Sequence, residues 1–234
     1  MAVGNLVWKR LSLKYLIGRL IDVFIQPKFP LSYLGIINRF ICKGVEHALD
    51  VACGMGIPMF ILRNKRKLYR SYNVGVDIFL EYLKHCKSRG IHDDCVCCDV
   101  RYLPFKEKSF DVVLCLEVIE HLTKKDGIKL LKVSEKIAKK QVIVATPVGF
   151  QCQDECHGNP YQMHLSGYSC EELVSLGFKV AGHTFKGIFG EKGLGSYFPP
   201  WIRWIFIPLA YLFSPLAYLR PKYANGMIGV KNLI

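Results

Sequence analysis

The sequence predicts an α/β protein built on a mainly parallel sheet with helices on both faces. Two observations carry that expectation. From about Val45 short β-branched runs alternate with stretches of helical length and period, the pattern of successive βαβ units. The run Val112–Leu116 is apolar without alternation, as a central strand buried on both faces must be.

The strand runs are Val45–Val51, Asn73–Asp77, Cys95–Val100, Phe110–Leu116, Gln141–Ala145 and Phe178–His183. Between them Pro58–Leu68, Leu80–Arg89, Asp126–Lys140 and Ser169–Leu176 read as helices. Helix Asp126–Lys140 places Lys129, Lys132, Lys136 and Lys139 on one face, the ordinary look of a solvated side. In an open sheet of this kind a ligand belongs beyond the carboxyl ends of the strands.

The chain has 234 residues, and 51% of them are hydrophobic, which excludes intrinsic disorder. Its 32 basic and 19 acidic side chains leave a net charge of +13, so an anionic partner is in scope: nucleic acid, lipid surface or acidic small molecule. The excess is not evenly spread. Residues 1–45 and 177–234 each carry seven Lys/Arg against one acid (Asp22 and Glu191), whereas the middle is nearly neutral. Ten cysteines raise the question of disulfides, but MAVGNLVWKRLSLKYL holds no apolar signal core or cleavage site, so free buried thiols are expected. Cys152, Cys156, His157 and His164 have a spacing that matches no standard zinc pattern, and no metal is expected.

Chemistry stands at the strand ends. The first strand closes on Asp50-Val51 and runs into Ala52-Cys53-Gly54-Met55-Gly56, where small residues let the backbone turn sharply and bring amide N–H groups close to a ligand. A carboxylate ahead of the glycines would repel a pyrophosphate but suits a cofactor bearing an amino group and a sulfonium. The second strand ends on Asp77, placed to accept from ribose hydroxyls or to cap the following helix. Asp99 closes the third strand, where it can accept from an adenine amine while the backbone of Val100 meets the ring. The fourth ends at Leu116-Glu117 and flows into the turn carrying Glu120 and His121.

The succession DVACGMG, GVD, CCDVRYLPF and SFDVVLCLEVIEHL resembles the class I S-adenosylmethionine-dependent methyltransferases, in particular the small-molecule branch that includes ubiquinone and menaquinone methyltransferases. The resemblance runs from about Val45 to Thr146; ATPVGF, HLSGYSCEELVSLGFKV and the final Ala224–Lys231 extend it. It implies a Rossmann-like sheet of seven strands and S-adenosylmethionine as cofactor. Asp50, Gly54 and Gly56 would hold the methionine part, with Cys53 where Cys is common. Asp77 would take the ribose, Asp99 and Val100 the adenine, and Glu117 would stand beside the methionine. One departure is Ile57-Pro58 in place of a third small residue, which a first helical turn accommodates.

The electrophile comes ready-made, so the protein must align an acceptor and exclude water, with a base only for a hydroxyl or a protonated amine. His121 and His164 are the candidate bases, ahead of Glu120 and Tyr161. The Asn/Asp-Pro-Pro-aromatic signature of amino-methylating nucleobase enzymes is absent after the fourth strand, where Leu116-Glu117-Val118-Ile119 stands; nucleic acid is therefore a lesser partner. The ends point elsewhere. Trp201–Arg220 is aromatic and apolar, too short and Pro-broken to span a bilayer, and Leu6–Ile25 reads as a basic amphipathic helix. The expected organisation is a helical cap over residues 1–44, the methyltransferase core over 45–195, an apolar lid over 196–222 and a closing strand over 223–234. The expected protein transfers a methyl group to a small, lipophilic acceptor. It is cytoplasmic, with peripheral contact to the membrane inner face. The alternatives are an RNA methyltransferase and a catalytically silent, membrane-associated partner subunit.

Overall fold

The computed structural model describes residues 29–64, 67–155, 158–190, 192–199 and 202–233. Their centre is a seven-stranded sheet: β1 (His47–Val51), β2 (Tyr72–Asp77), β3 (Asp94–Cys97), β4 (Phe110–Leu116), β5 (Ala138–Pro147), β6 (Lys179–Phe185) and β7 (Ala224–Asn232). The spatial order is β3-β2-β1-β4-β5-β7-β6. Strands β1 to β5 pair in parallel, and β7 runs antiparallel between β5 and β6. This is the mainly parallel sheet that the strand runs predicted and the seven-stranded, Rossmann-like arrangement that the resemblance implied.

Side chains alternate between two apolar layers because strand residues alternate faces. On one side Ala48, Leu114 and Ile143 meet helices α1 (Tyr33–Phe40), α2 (Ile57–Arg63) and α3 (Leu80–Ser88) through Ile36, Ile37, Met59, Leu62 and Leu83. On the other, Leu49, Val113 and Val142 meet α4 (Lys124–Ile137) and α5 (Cys170–Ser175) through Leu130, Leu131 and Leu173. Each such buried aliphatic side chain contributes about 1.5–3 kcal/mol.

Helix boundaries shift from expectation for local reasons. Helix α4 starts earlier, where Thr123 Oγ1 accepts from Asp126 N at 3.2 Å, and it stops at Ile137. Ala138 already pairs with Phe110 in the sheet, so Lys139 and Lys140 belong to β5 and Lys139 leaves the basic helix face. Helix α2 ends at Arg63, where Asn64 Nδ2 donates back to Phe60 O at 2.8 Å; Pro58 sits in its first turn. Strand β3 ends at Cys97, and Val100 opens a 3₁₀ turn capped by Asp99.

Of the expected N-terminal cap, the described part is α1, capped by Ser32, whose Oγ accepts from Gly35 N at 3.1 Å. The amphipathic run Leu6–Ile25 lies outside the described residues. The apolar segment before β7 folds into α7 (Ile207–Leu212) and α8 (Ser214–Leu219), following the short α6 (Lys186–Phe189). They lie against β6: the Ala217 carbonyl stands 2.3 Å from where a Cβ on Gly182 would be, so only glycine admits this approach. Phe29, just before α1, stacks on Tyr211 with ring centroids 4.0 Å apart. The start of the described residues and the helices before β7 thus meet.

Asp111 fastens the sheet at its lower end. Its Oδ2 accepts from Glu46 N at 2.8 Å and His47 N at 3.0 Å, and Lys140 lies 3.0 Å from Oδ1. Burial alone would raise this carboxyl, but the two backbone N–H groups and Lys140 outweigh it and hold it below its ordinary value. Asp111→Ala is expected to cost about 2–4 kcal/mol in urea unfolding, since it strands two donors. The sign in pH follows: the contribution is full above about 3.9, the ordinary Asp value, and is lost as pH falls through the lower folded value. A variant as stable as the parent at neutral pH contradicts this.

Candidate functional site

Strands β1 and β4 are neighbours, yet their following helices leave on opposite faces, α2 on one and α4 on the other. A crevice opens at such a parting of connections. Both strand ends also hold strained backbone. Ala52 (φ 56°) and Glu117 (φ 53°) are non-glycine residues in the left-handed region, which costs of order 1–3 kcal/mol each and clusters at functional sites. A cleft of about 200 Å³ opens here, and its lining includes Ala52, Asp77, Asp99, Val100, Glu117, His121 and Tyr161. Strand-end acids that lie far apart in sequence are therefore brought together.

The turn after β1 is held by hydrogen bonds from below and the side. Cys53 N donates to Val76 O and Gly56 N to Cys53 O, both at 2.8 Å. Asp77 Oδ2 accepts from Gly54 N and its Oδ1 from Phe79 N, again at 2.8 Å each. A carboxylate has about four lone-pair sites, so Asp77 can still accept from a ligand hydroxyl. Desolvation raises Asp77 above its ordinary value, against the pull of those N–H groups. The two glycines differ in surroundings. A Cβ on Gly54 would meet nothing within 4 Å, whereas one on Gly56 would strike Ile91 Cγ2 at 2.8 Å and Cys86 Sγ at 2.9 Å. Gly54 leaves room for a ligand; Gly56 lets the start of α2 pack.

Other predicted residues sit differently. Asp50 is 3% exposed and outside the cleft lining, its Oδ2 2.9 Å from His92 Nε2. Cys53 is buried beneath the turn, and neither it, Gly54 nor Gly56 lines the cleft. Asp99 is clamped by Arg101, which donates from Nε and from a terminal nitrogen at 2.5–3.0 Å; this pairing holds Asp99 below the ordinary carboxylate range. Val100 is buried against the cleft wall. Glu117 opens into the cleft beside Glu120, and desolvation followed by mutual repulsion raises Glu120 well above the ordinary value.

His121 and His164 come together with ring centroids 4.7 Å apart, although His164 itself is not in the cleft lining. Each uses Nδ1 on a main-chain carbonyl: His121 on Met163 O at 3.2 Å, His164 on Gln151 O at 2.6 Å. A carbonyl only accepts, so both Nδ1 atoms carry hydrogen. Burial, with His164 nearby, lowers His121 below the usual imidazole value. Glu120, 2% exposed, receives Thr146 Oγ1 on Oε2 at 3.0 Å, while its Oε1 has no partner among the described residues. Glu120, His121 and His164 offer ligand atoms within 4.8 Å of one another, a donor set suited to a proton or a divalent cation. Cys156 and His157 lie outside the described residues, and the nine described cysteines are free.

Sequence reasoning missed Tyr33 and Asn159. Tyr33, on α1, buries its hydroxyl without a hydrogen-bond partner among the described residues, and burial plus the charges of Glu117, Glu120 and Asp50 keep it protonated. Asn159 is 1% exposed, lines the cleft and caps the turn bearing Tyr161, with Tyr161 N donating to its Oδ1 at 3.0 Å. The Asn-Pro-Tyr triplet was visible, but its place beside the cleft depends on a loop that periodicity does not fold.

Residues 49–146 match the family model described as a methyltransferase domain. Two uncharacterized proteins of Methanocaldococcus jannaschii are similar: one is 26% identical over 145 residues, the other 30% over 120 residues. The matched parts cover 62% and 44% of this chain, and the chain spans 60% and 44% of the length of those relatives. Among solved structures, a SAM-dependent methyltransferase from Archaeoglobus fulgidus superposes with a TM-score of 0.53 at 14% identity, covering 93% of this chain and 99% of its own. A chain of the complex between the Haloferax volcanii Trm112 methyltransferase activator and a methyltransferase gives 0.57 at 15% identity, covering 93% and 94%. The [4+2]-cyclase SpnF gives 0.55 at 14% identity over 84% and 79%, a reminder that fold alone does not name a reaction.

The two glycines separate binding from folding. Gly54→Ala is expected to leave the melting temperature within a few degrees, for a cost of about 1 kcal/mol in the left-handed region, but to weaken S-adenosylmethionine binding in calorimetry at least tenfold. Gly56→Ala should cost more, about 1–3 kcal/mol from overpacking plus that strain. Equal effects of the two on stability and on binding would contradict the assignment.

Proposed function

Residues 49–146 match a methyltransferase domain, and from that premise we propose that the protein is a class I S-adenosylmethionine-dependent methyltransferase that methylates a hydroxyl on a small, lipophilic acceptor. When bound, the cofactor supplies a methyl group on an electrophilic sulfonium. The proposed holders are the turn opened by Gly54 and packed from below through Gly56, Asp77 for the ribose, Asp99 and Val100 for the adenine end and Glu117 for the methionine end. Asp50 and Cys53 act from beneath the turn, through the backbone they support.

The observation that carries an acceptor that must lose a proton, here proposed to be a hydroxyl, is the pinned histidine pair. Both Nδ1 atoms are tied to carbonyls, and both rings offer a nitrogen within 4.8 Å of a Glu120 carboxylate oxygen, beside the cleft. Clustered acceptors of this kind favour taking up a proton, which is what removal of a hydroxyl proton requires. His121, lining the cleft, accepts it, and His164 and Glu120 share the resulting charge. A thioether acceptor would need none of this.

The lid supports a lipophilic acceptor and peripheral membrane contact. Helices α7 and α8 bury the small residues Ala210, Ser214 and Ala217, while Leu212, Leu216 and Leu219 stay 70%, 41% and 72% exposed. Arg220 and Lys222 follow directly. Large apolar residues facing outward beside basic ones fit an interfacial surface. No helix among the described residues is long and apolar enough to cross a membrane.

The function is tested by transferring labelled methyl groups into a cell extract and separating lipid, small-molecule and RNA fractions. Label in the lipid-soluble fraction is expected; label confined to RNA, with binding that falls steeply with salt, contradicts the acceptor class. His121→Ala and His164→Ala should each slow labelling by about 10²–10⁴ with cofactor affinity unchanged. The rate should fall on the acid side with an inflection below about 6.5, since burial holds His121 neutral. Loss of cofactor affinity in step with rate would sink the base assignment.

The membrane contact is best probed by substitution, because β7 follows the lid and pairs with both β5 and β6, so a cut would remove a sheet strand. Changing Leu212, Leu216 and Leu219 together to Gln should abolish flotation with anionic liposomes while leaving the circular dichroism spectrum intact. Unchanged flotation contradicts the lid as the contact.

A further inference from the structure

Beneath the glycine turn lies a cluster none of whose residues lines the cleft. Cys53 on the turn, Cys86 on α3 and His92 before β3 are all buried, and their ligand atoms lie within 4.8 Å of one another. The His92 side chain is fully buried. Its Nε2 is engaged by Asp50 Oδ2 at 2.9 Å, and its Nδ1 has no hydrogen-bond partner among the described residues. Both thiols lean on one oxygen: the Gly54 carbonyl is 3.4 Å from Cys86 Sγ and 3.7 Å from Cys53 Sγ.

The surroundings make room for this grouping. A Cβ on Gly75 would meet His92 ring atoms at 2.8–2.9 Å, and one on Gly56 would meet Cys86 Sγ at 2.9 Å. We propose that Cys53, Cys86 and His92 bind one thiophilic divalent cation, zinc by donor chemistry, with the Gly54 carbonyl beside the fourth position. The site fastens the cofactor turn to α3 and to the approach to β3.

Donor type, charge and second shell agree with this. Zinc takes thiolate sulfur at about 2.3 Å and imidazole nitrogen at about 2.0–2.1 Å, which puts tetrahedral donors roughly 3.5–3.8 Å apart. The present grouping is within about 1 Å of that spacing. Two thiolates neutralise the ion, so the complex adds no net charge to the apolar layer around it. The imidazole would bind through the unpartnered Nδ1 while donating Nε2–H to Asp50, the carboxylate–histidine–metal relay that orients ligating histidines. Binding needs two thiolates and an Nδ1 free of its proton, so protons leave to solvent as the cation enters and uptake is favoured by rising pH. A role for Asp50 away from the cleft follows as well.

The test uses the full chain, purified without chelator, loaded with zinc and then desalted, with metal measured by plasma mass spectrometry. About one equivalent per chain is expected. Cobalt(II) in place of zinc should give the thiolate charge-transfer absorption and the visible bands of a tetrahedral site. Cys86→Ser and His92→Gln should each lose the metal, while Cys97→Ser, at an exposed thiol outside the cluster, keeps it. The cobalt spectrum needs no variant, so misfolding of a substituted chain does not blur the answer. Folded parent chain that retains no metal, or equal retention by Cys86→Ser and His92→Gln, overturns the proposal. So does a Cys53–Cys86 disulfide in peptide mass spectra of the unreduced chain. None of these outcomes depends on which acceptor is methylated.

Discussion

The carboxylate of Asp77 accepts from Gly54 N with one oxygen and from Phe79 N with the other, tying the turn after β1 to the turn after β2. Without that tie the glycine turn would have no reason to hold its left-handed shape, since Gly54 and Gly56 are the residues freest to leave it. The rest of the site is arranged around this fixed turn. Asp50 and His92 support it from below, and Glu117 faces it from the end of the neighbouring strand β4. Strain at Ala52 and Glu117 persists because the sheet over-determines both positions, with Glu117 N held by Ala145 O at 2.9 Å.

The chain divides its chemistry by location. The middle of the chain carries acids at strand ends and almost no net charge, and the basic excess falls in residues 1–45 and 177–234. The described C-terminal part of that excess, at Arg220 and Lys222, accompanies helices that turn large apolar residues outward.

Much of this was legible in the residues. Buried strands such as Val112–Leu116 announce themselves by unbroken apolar content, and an Asp or Glu at the end of such a run breaks the pattern where a ligand is reached. Other features depend on contacts between distant parts of the chain. His92 meets Asp50 across 42 positions, and nothing in the spacing of either says that they pair or that Asp50 is thereby drawn away from the cleft. Helix α4 ends three residues early because Ala138 finds a sheet partner, a tertiary preference that overrides a run of good helix formers. Likewise, His121 and His164 looked like two isolated candidates, and only the placement of Gln151 and Met163 beside them shows them as a pair with their Nδ1 atoms bonded to carbonyls.

The account rests on one carboxylate that both builds the turn and faces the cleft. Its most direct test is calorimetric titration of S-adenosylmethionine into the full chain and into Asp77→Ala. Saturable binding by the parent, and affinity at least tenfold weaker in a variant that remains folded by circular dichroism, is the predicted result. Equal affinity in the two proteins would contradict the account at its centre.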